Sequence, residues 1–263
     1  MVRSAVAIAN QKGGVGKTTT TINLAAALCR LGRTVLVVDM DPQANLTSGI
    51  GLKGRPAPGG TVYNALTGEF DCDFRDFVVP TAVSGLSLIP ADRNLTGAEL
   101  ELVNLPRRES RLRPIVNGAR RVFDYIFIDT PPSLGLLTLN ALVAVDEVFI
   151  PLTCEYFSLE GLAELTATVQ RVQASFNAQL EIGGVLLTMA DLRTNLGKQV
   201  TQEVRGFFKE KVFETVIPRN IRLGEAPSHG LPVLTYDSRS RGAVAYVALA
   251  EEVESKREPN LPS

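Results

Sequence analysis

Residues 5–19 read AVAIANQKGGVGKTT, and the fold turns on this stretch. Ala5–Ala9 is a short aliphatic run of the kind that forms a strand buried on both faces. Lys17–Leu31 follows with a helical pattern. Between them, Gly13, Gly14 and Gly16 allow the backbone to curl so that successive N–H groups face phosphate oxygens, with Val15 between them. A helix that starts here adds its positive N-terminal end at the same point. A lysine placed as Lys17 reaches β- and γ-phosphates, the Thr18 hydroxyl is placed to ligate Mg²⁺, and Thr19 completes the cradle. Two positions depart from the common pattern GxxxxGK[ST]: Gln11 stands where the first glycine would be, and Lys12 is an additional lysine. Five residues ahead of Lys17, Lys12 has no ready task on its own nucleotide's γ-phosphate. One physical option is that it reaches the nucleotide of a neighbouring subunit.

Outward from this loop, further short aliphatic runs alternate with longer helical patterns. Thr34–Asp39, Leu86–Pro90, Tyr125–Asp129, Glu147–Pro151, Ile182–Thr188 and Val212–Ile217 read as strands. Ser133–Val143, Ser158–Phe176, Gly197–Phe208 and Arg241–Lys256 read as helices. The alternation predicts an α/β fold: one doubly wound domain over residues 1–257, with a mostly parallel sheet and helices on both faces. Residues 258–263 read as a flexible tail. Gly49–Gly60, rich in Gly and Pro, is expected to be an exposed loop. Beyond it lie a small helix at Val62–Thr67 and the arginine-rich PRRESRLRP, where Pro106 and Pro114 are each expected to end or kink a helix. Ser133, after two prolines, is expected to cap a helix.

Two strands end in carboxylates. VLVVDMD closes on Asp39 and Asp41, and YIFID closes on Asp129. The carboxyl edge of a parallel sheet is where doubly wound folds bind ligands. Asp129 is placed like the acid that holds Mg²⁺ or its water, and Asp41 is the candidate to orient an attacking water.

Hydrophobic residues at 45% and charged residues at 21% describe a globular chain and exclude disordered and fibrous classes. Cys29, Cys72 and Cys154 are too scattered for a disulfide framework or a metal knuckle, which fits a reducing compartment. The single histidine, His229, offers neither a metal site nor a serine triad. No stretch approaches the roughly 20 apolar residues needed to cross a bilayer. The opening apolar run is too short for a signal peptide. Net charge is −1, yet Arg193 to Arg241 holds nine Lys or Arg against five Asp or Glu. A basic face confined to the C-terminal third is therefore expected.

Six segments resemble, in order, the ParA/Soj/MinD group of deviant phosphate-loop ATPases, of the SIMIBI type of P-loop NTPase, and most closely its chromosomal partition branch. They are ANQKGGVGKTTTTINLAAAL, VLVVDMDPQANLTSGIG, FIDTPPSLGLLTLNAL, GVLLTMADLRTNLG, VFETVIPRNIRLGEAPSHG and YDSRSRGAVAYVALAEEV. Ala190 stands where a tyrosine is common, and Pro106 and Pro114 interrupt a region that is typically helical. The resemblance implies an ATP- and Mg²⁺-dependent homodimer in which Lys12 crosses to the partner's nucleotide and Asp41 positions water. It places Pro218 and Asn220 beside the nucleotide base, and Met189 is a further ATP-binding candidate. It further implies non-specific binding to double-stranded DNA, with hydrolysis stimulated by a ParB-like centromere-binding partner, in a cytoplasmic, nucleoid-associated protein. For DNA it points to Arg193 and Arg222, with Lys198, Arg205, Lys209, Arg219 and Arg241 as lesser candidates in the same basic third.

A MinD-like membrane-cycling ATPase would share the nucleotide site. It would need an amphipathic anchor, which EEVESKREPNLPS does not resemble. A metallocluster carrier would want paired cysteines. A plasmid autorepressor of this group would carry a helix-turn-helix segment ahead of the first strand.

Overall fold

The computed structural model describes residues 3–70, 72–154, 158–190 and 194–257. The tail expected at 258–263 lies outside the described residues. Among the described residues, seven strands form one sheet: β1 Ser4–Ile8, β2 Val35–Asp39, β3 Val79–Pro80, β4 Leu86–Ile89, β5 Tyr125–Asp129, β6 Glu147–Thr153 and β7 Glu181–Thr188. Their order is β3-β4-β2-β5-β1-β6-β7. All neighbours run parallel except β3, which pairs antiparallel with β4 at the edge.

Among the described residues there are eleven α-helices, of which the first seven lie between strands and the last four follow the last strand. They are α1 Lys17–Arg30, α2 Asn45–Gly49, α3 Val62–Thr67, α4 Leu95–Leu102, α5 Arg113–Ala119, α6 Leu136–Ala144, α7 Ser158–Ser175, α8 Asn195–Phe208, α9 Ile221–Glu225, α10 Val233–Tyr236 and α11 Arg241–Ser255. Strand side chains alternate between the two faces. Ala5, Ala7, Leu36, Val38, Ile126 and Ile128 join a core with residues of α3 to α8, among them Val62, Leu95, Ile115, Leu142, Leu165 and Val204. Val6, Ile8, Val35, Val37, Tyr125 and Phe127 join a second core with α1 and α11, through Leu24, Leu28, Tyr246 and Leu249. Covering both faces removes the central strands from water, which is why they read as unbroken aliphatic runs.

Expectation and structure part at several places. Val212–Ile217 is not a strand. It runs beside β7 with isolated contacts: Phe213 N–H donates to Val185 O, Ile217 N–H to Leu187 O, and Ile217 O accepts from Ala190 N–H just past the strand. Between them the Glu252 carboxylate of α11 accepts from the N–H groups of Glu214 and Thr215 at 2.8 and 2.9 Å, so no continuous ladder forms. The helices α2, α4, α5, α9 and α10 were not expected, nor was the edge strand β3, where Pro80 is tolerated because an edge residue need not donate. Pro114 does not end a helix but lies in the first turn of α5, where its missing N–H costs nothing. Pro106 follows α4 in a run of turns, as expected. Ser133 does not cap α6, whose N-cap is Gly135; instead its carbonyl accepts from the Thr138 hydroxyl at 2.6 Å.

The arginine-rich segment is partly interior. Arg111 is only 5% exposed and donates to the carbonyls of Leu66 and Gly68 at the end of α3. A cation there complements the helix's negative C-terminus.

Candidate functional site

β1 lies where the connections diverge, with β5, β2, β4 and β3 on one side and β6 and β7 on the other. The loop leaving β1 therefore opens at the crevice where such sheets bind ligands. Four ties hold it. Thr130 Oγ1 donates to Ile8 O at 3.0 Å, and Asn10 Nδ2 donates to Pro151 O at 2.7 Å. Asn10 Oδ1 accepts from Lys12 N–H at 2.9 Å, and Thr188 Oγ1 donates to Val15 O at 2.8 Å. Gly14 and Gly16 take φ of 74° and 89°, left-handed values that other residues resist. A Cβ on Gly13 or Gly14 would meet nothing within 4 Å, so the curl faces open space.

Lys17 is 7% exposed and folds back over the loop, its Nζ donating to the carbonyls of Asn10 at 2.9 Å and Lys12 at 3.2 Å. Burial lowers its pKa, opposed by the carboxylates of Asp129 and Asp41. Thr18 Oγ1 donates to Asp129 Oδ2 at 2.7 Å, and Thr21 Oγ1 to Asp129 Oδ1 at 3.3 Å. Asp129 is fully buried; desolvation, reinforced by the negative charge of Asp39, pushes it up to about 8. An acid whose charge is so disfavoured is primed to receive a cation. Thr18 and Asp129 are hard oxygen donors of the kind that Mg²⁺ prefers. Among the described residues, no group of three or more His, Cys, Asp or Glu could hold a metal alone. Asp41, 8% exposed, lines the cavity, with Oδ1 accepting from Gln43 N–H at 2.9 Å.

The cavity over the loop has a volume of about 620 Å³ and brings together Gly13, Gly14, Lys17, Thr18, Thr19 and Asp41. Its far wall, unforeseen from the sequence, comes from Gln43, Asn45 and Ser48 of the α2 region and from Gly224, Pro227 and Ser228. A second cavity of about 210 Å³ adjoins it and is lined by Met189, Pro218, Asn220 and Tyr246. Met189, Pro218 and Asn220 thus come together beside the phosphate loop. Arg219, read as a surface cation, also lines this second cavity. Asn220 Oδ1 caps α9 by accepting from Arg222 N–H at 2.8 Å. Lys12 is half-buried at the loop's start.

The basic third is more mixed than its composition suggests. Arg193 lies outside the described residues. Arg222 is exposed but ion-paired on both sides, Nη1 to Glu225 at 2.7 Å and Nε to Asp237 at 3.3 Å. Arg205 pairs with Glu214 at 2.8 Å. Lys198, Lys209, Arg219 and Arg241 are exposed. Arg239, not singled out from the sequence, joins Arg241 around a surface depression floored by Val216, Pro218 and Val244. His229 stacks on Tyr236 with ring centroids 4.9 Å apart, a packing role. No described helix is long and apolar enough to cross a membrane.

A parallel sheet, a glycine turn opening a helix, a buried lysine and two strand-end aspartates define a phosphate-loop nucleotide-binding protein. A family model described as AAA domain matches residues 3–182. The sporulation initiation inhibitor protein Soj of Bacillus subtilis is 54% identical over 94% of this chain and 97% of its own length. The chromosome partitioning protein ParA of Myxococcus xanthus is 51% identical over 98% and 90%. Among solved structures, a Mycobacterium smegmatis protein described as cobyrinic acid a,c-diamide synthase, with bound ATP analog and magnesium, is 35% identical. It covers 100% of this chain and 99% of its own, with a TM-score of 0.83. The chain belongs to the ParA/Soj family of deviant phosphate-loop ATPases.

Proposed function

We propose that this chain is a chromosome- or plasmid-partitioning ATPase whose Mg²⁺-ATP-bound form is a DNA-gripping homodimer. The observation that carries this reading is the convergence of Lys17, Thr18 and Asp41 on one cavity above the glycine turn, with Asp129 buried behind it and bonded to Thr18. Thr18 and Asp129 would hold Mg²⁺, the latter through water. The ion would supply charge neutralisation of the β- and γ-oxygens.

The chain's own residues do the rest. The N–H groups of residues 13–19 receive phosphate oxygens, and Lys17 exchanges its loop carbonyls for phosphates. One oxygen of Asp41 is held by Gln43 N–H, and the other orients a water toward the γ-phosphorus. Met189, Pro218 and Asn220 flank the base. Lys12 reaches the partner's nucleotide and couples ATP to dimer formation. Hydrolysis is slow until a ParB-like partner accelerates it.

DNA is held through phosphates by Arg193 and Arg222, with Lys198, Arg205, Lys209, Arg219 and Arg241 adding positive potential. Such contacts are sequence-tolerant and weaken with salt. The protein would work on the nucleoid in the cytoplasm. An identity of 51% to a chromosome partitioning protein over 98% of the chain favours segregation over a MinD-like role. The test is Mg²⁺-dependent ATP turnover with and without duplex DNA and the cognate ParB-like protein. Low turnover raised by the two together is expected; no hydrolysis under any condition would overturn the reading.

A further inference from the structure

The end of β2 carries a second carboxylate, Asp39, that nothing above puts to use. It is fully buried and lines no described cavity, yet it receives three hydrogen bonds. Oδ1 accepts from Asp41 N–H at 3.2 Å. Oδ2 accepts from Thr47 N–H at 2.8 Å and from Thr47 Oγ1 at 2.7 Å. Thr47 Oγ1 in turn accepts from Ala91 N–H at 3.0 Å, which ties the same point to the chain leaving β4.

One carboxylate therefore grips both ends of the segment from Asp41 to Thr47. This segment supplies Asp41, Gln43 and Asn45 to the cavity wall, and Ser48 follows directly. It is tightly wound. Ala44 N–H donates to Asp41 O at 2.8 Å, and Ala44 sits at φ 52°, a left-handed conformation that a residue with a Cβ disfavours. Strain of this kind persists only where the surroundings over-determine it. Asp39 is the over-determining contact.

We infer that Asp39 is a positioning residue for hydrolysis: it clamps the 41–47 turn and so fixes where the Asp41 carboxylate stands. The inference rests on the proposed role of Asp41. A carboxylate is the group suited to the task, because both of its oxygens accept and the donors approach from both ends. An amide offers one oxygen and one NH₂, so Asn at this position turns a donor toward either Asp41 N–H or Thr47. The fold then keeps its core while the turn loses one anchor. Thr47→Val removes the hydroxyl that links Asp39 to Ala91 at nearly constant volume. Thr47→Ser keeps every hydrogen bond and removes only a methyl group.

The experiment measures ATP turnover and ATP affinity in parallel for Asp39→Asn, Thr47→Val, Thr47→Ser and Asp41→Ala. Misplacing a catalytic group by about 1 Å can cost about 100-fold, so Asp39→Asn is expected to lower turnover by about 10- to 100-fold. ATP affinity should stay within about three-fold of wild type, the signature of an interaction used beyond ground-state binding. Thr47→Val should shift turnover in the same direction, and Thr47→Ser should match wild type. Wild-type turnover in both Asp39→Asn and Thr47→Val, with Asp41→Ala inactive, would overturn the clamp and leave the Asp41 role standing. Loss of ATP affinity in proportion to turnover, or Thr47→Ser behaving like Thr47→Val, would likewise overturn it. Wild-type turnover in Asp41→Ala would remove the underlying reading itself. Should Asp39→Asn not fold, the two Thr47 variants decide the matter.

Discussion

The phosphate loop and the basic C-terminal third both carry positive charge, and they use it in opposite ways. In the loop, Lys17 is buried, held at two carbonyls and faced by two carboxylates, so its place follows from the fold. In the C-terminal third, Arg222 and Arg205 are partly or largely solvent-accessible and already matched by Glu225, Asp237 and Glu214. Exposed pairs of this kind add little to stability, so DNA phosphates can displace the carboxylates at little cost. The first region reads a ligand by geometry, and the second by charge alone. Mutations should therefore act all-or-none in the loop and by increments in the basic third.

The largest expected effect lies in the cavity. Asp41→Ala should keep ATP binding while turnover falls by about 100-fold or more, as when a single group that orients the reacting atoms is lost. A rapid-quench or phosphate-release assay checks this, and unchanged turnover would break the geometric half of the comparison. Next comes Lys12→Ala. It should bind ATP yet stay monomeric at concentrations where wild type dimerises, as read by light scattering. Normal dimers would confine Lys12 to its own subunit's loop.

The incremental side predicts a smaller effect. Arg222→Glu should weaken binding to random duplex by about ten-fold at moderate salt, with dimerisation intact and the salt slope reduced by about one. Wild-type retention would take Arg222 out of the interface.

The last effect is a pH dependence of stability in the cavity. Burial and Asp39 raise Asp129 from 3.8 to about 8. A group raised on folding stabilises the fold fully below its unfolded value, and that contribution is lost as pH climbs toward the folded one. Without Mg²⁺ or nucleotide, wild type should therefore lose thermal stability relative to Asp129→Asn as pH rises from about 4 to about 8, and level off above that. Parallel melting curves across this range would remove Asp129 as a strained acid.

The same contrast explains what could be seen in the sequence. The loop was legible because its chemistry is local: three glycines, a lysine and two threonines within seven residues, between an aliphatic run and a helix. Central strands were legible because burial on both faces leaves them aliphatic throughout. Val212–Ile217 has apolar residues on either side of Glu214 and Thr215, but Glu252, 38 and 37 positions further on, takes the N–H groups of those two, and no local pattern records that. β3 was too short, and its proline too contrary, to stand out. The Asp39 clamp joins residues eight apart and relays to Ala91, 44 positions beyond Thr47, so only the folded chain brings it together. The count of positive charges in the C-terminal third was correct, but which of them face carboxylates depends on how α9 and α10 meet.

The most direct measurement is retention of the protein on random-sequence duplex DNA, compared with a non-hydrolysable ATP analogue, with ADP and with no nucleotide. Strong retention with the analogue alone, abolished by Lys12→Ala, is the expected result. Equal retention in all three conditions would contradict the claim that the γ-phosphate in the glycine turn governs the grip on DNA.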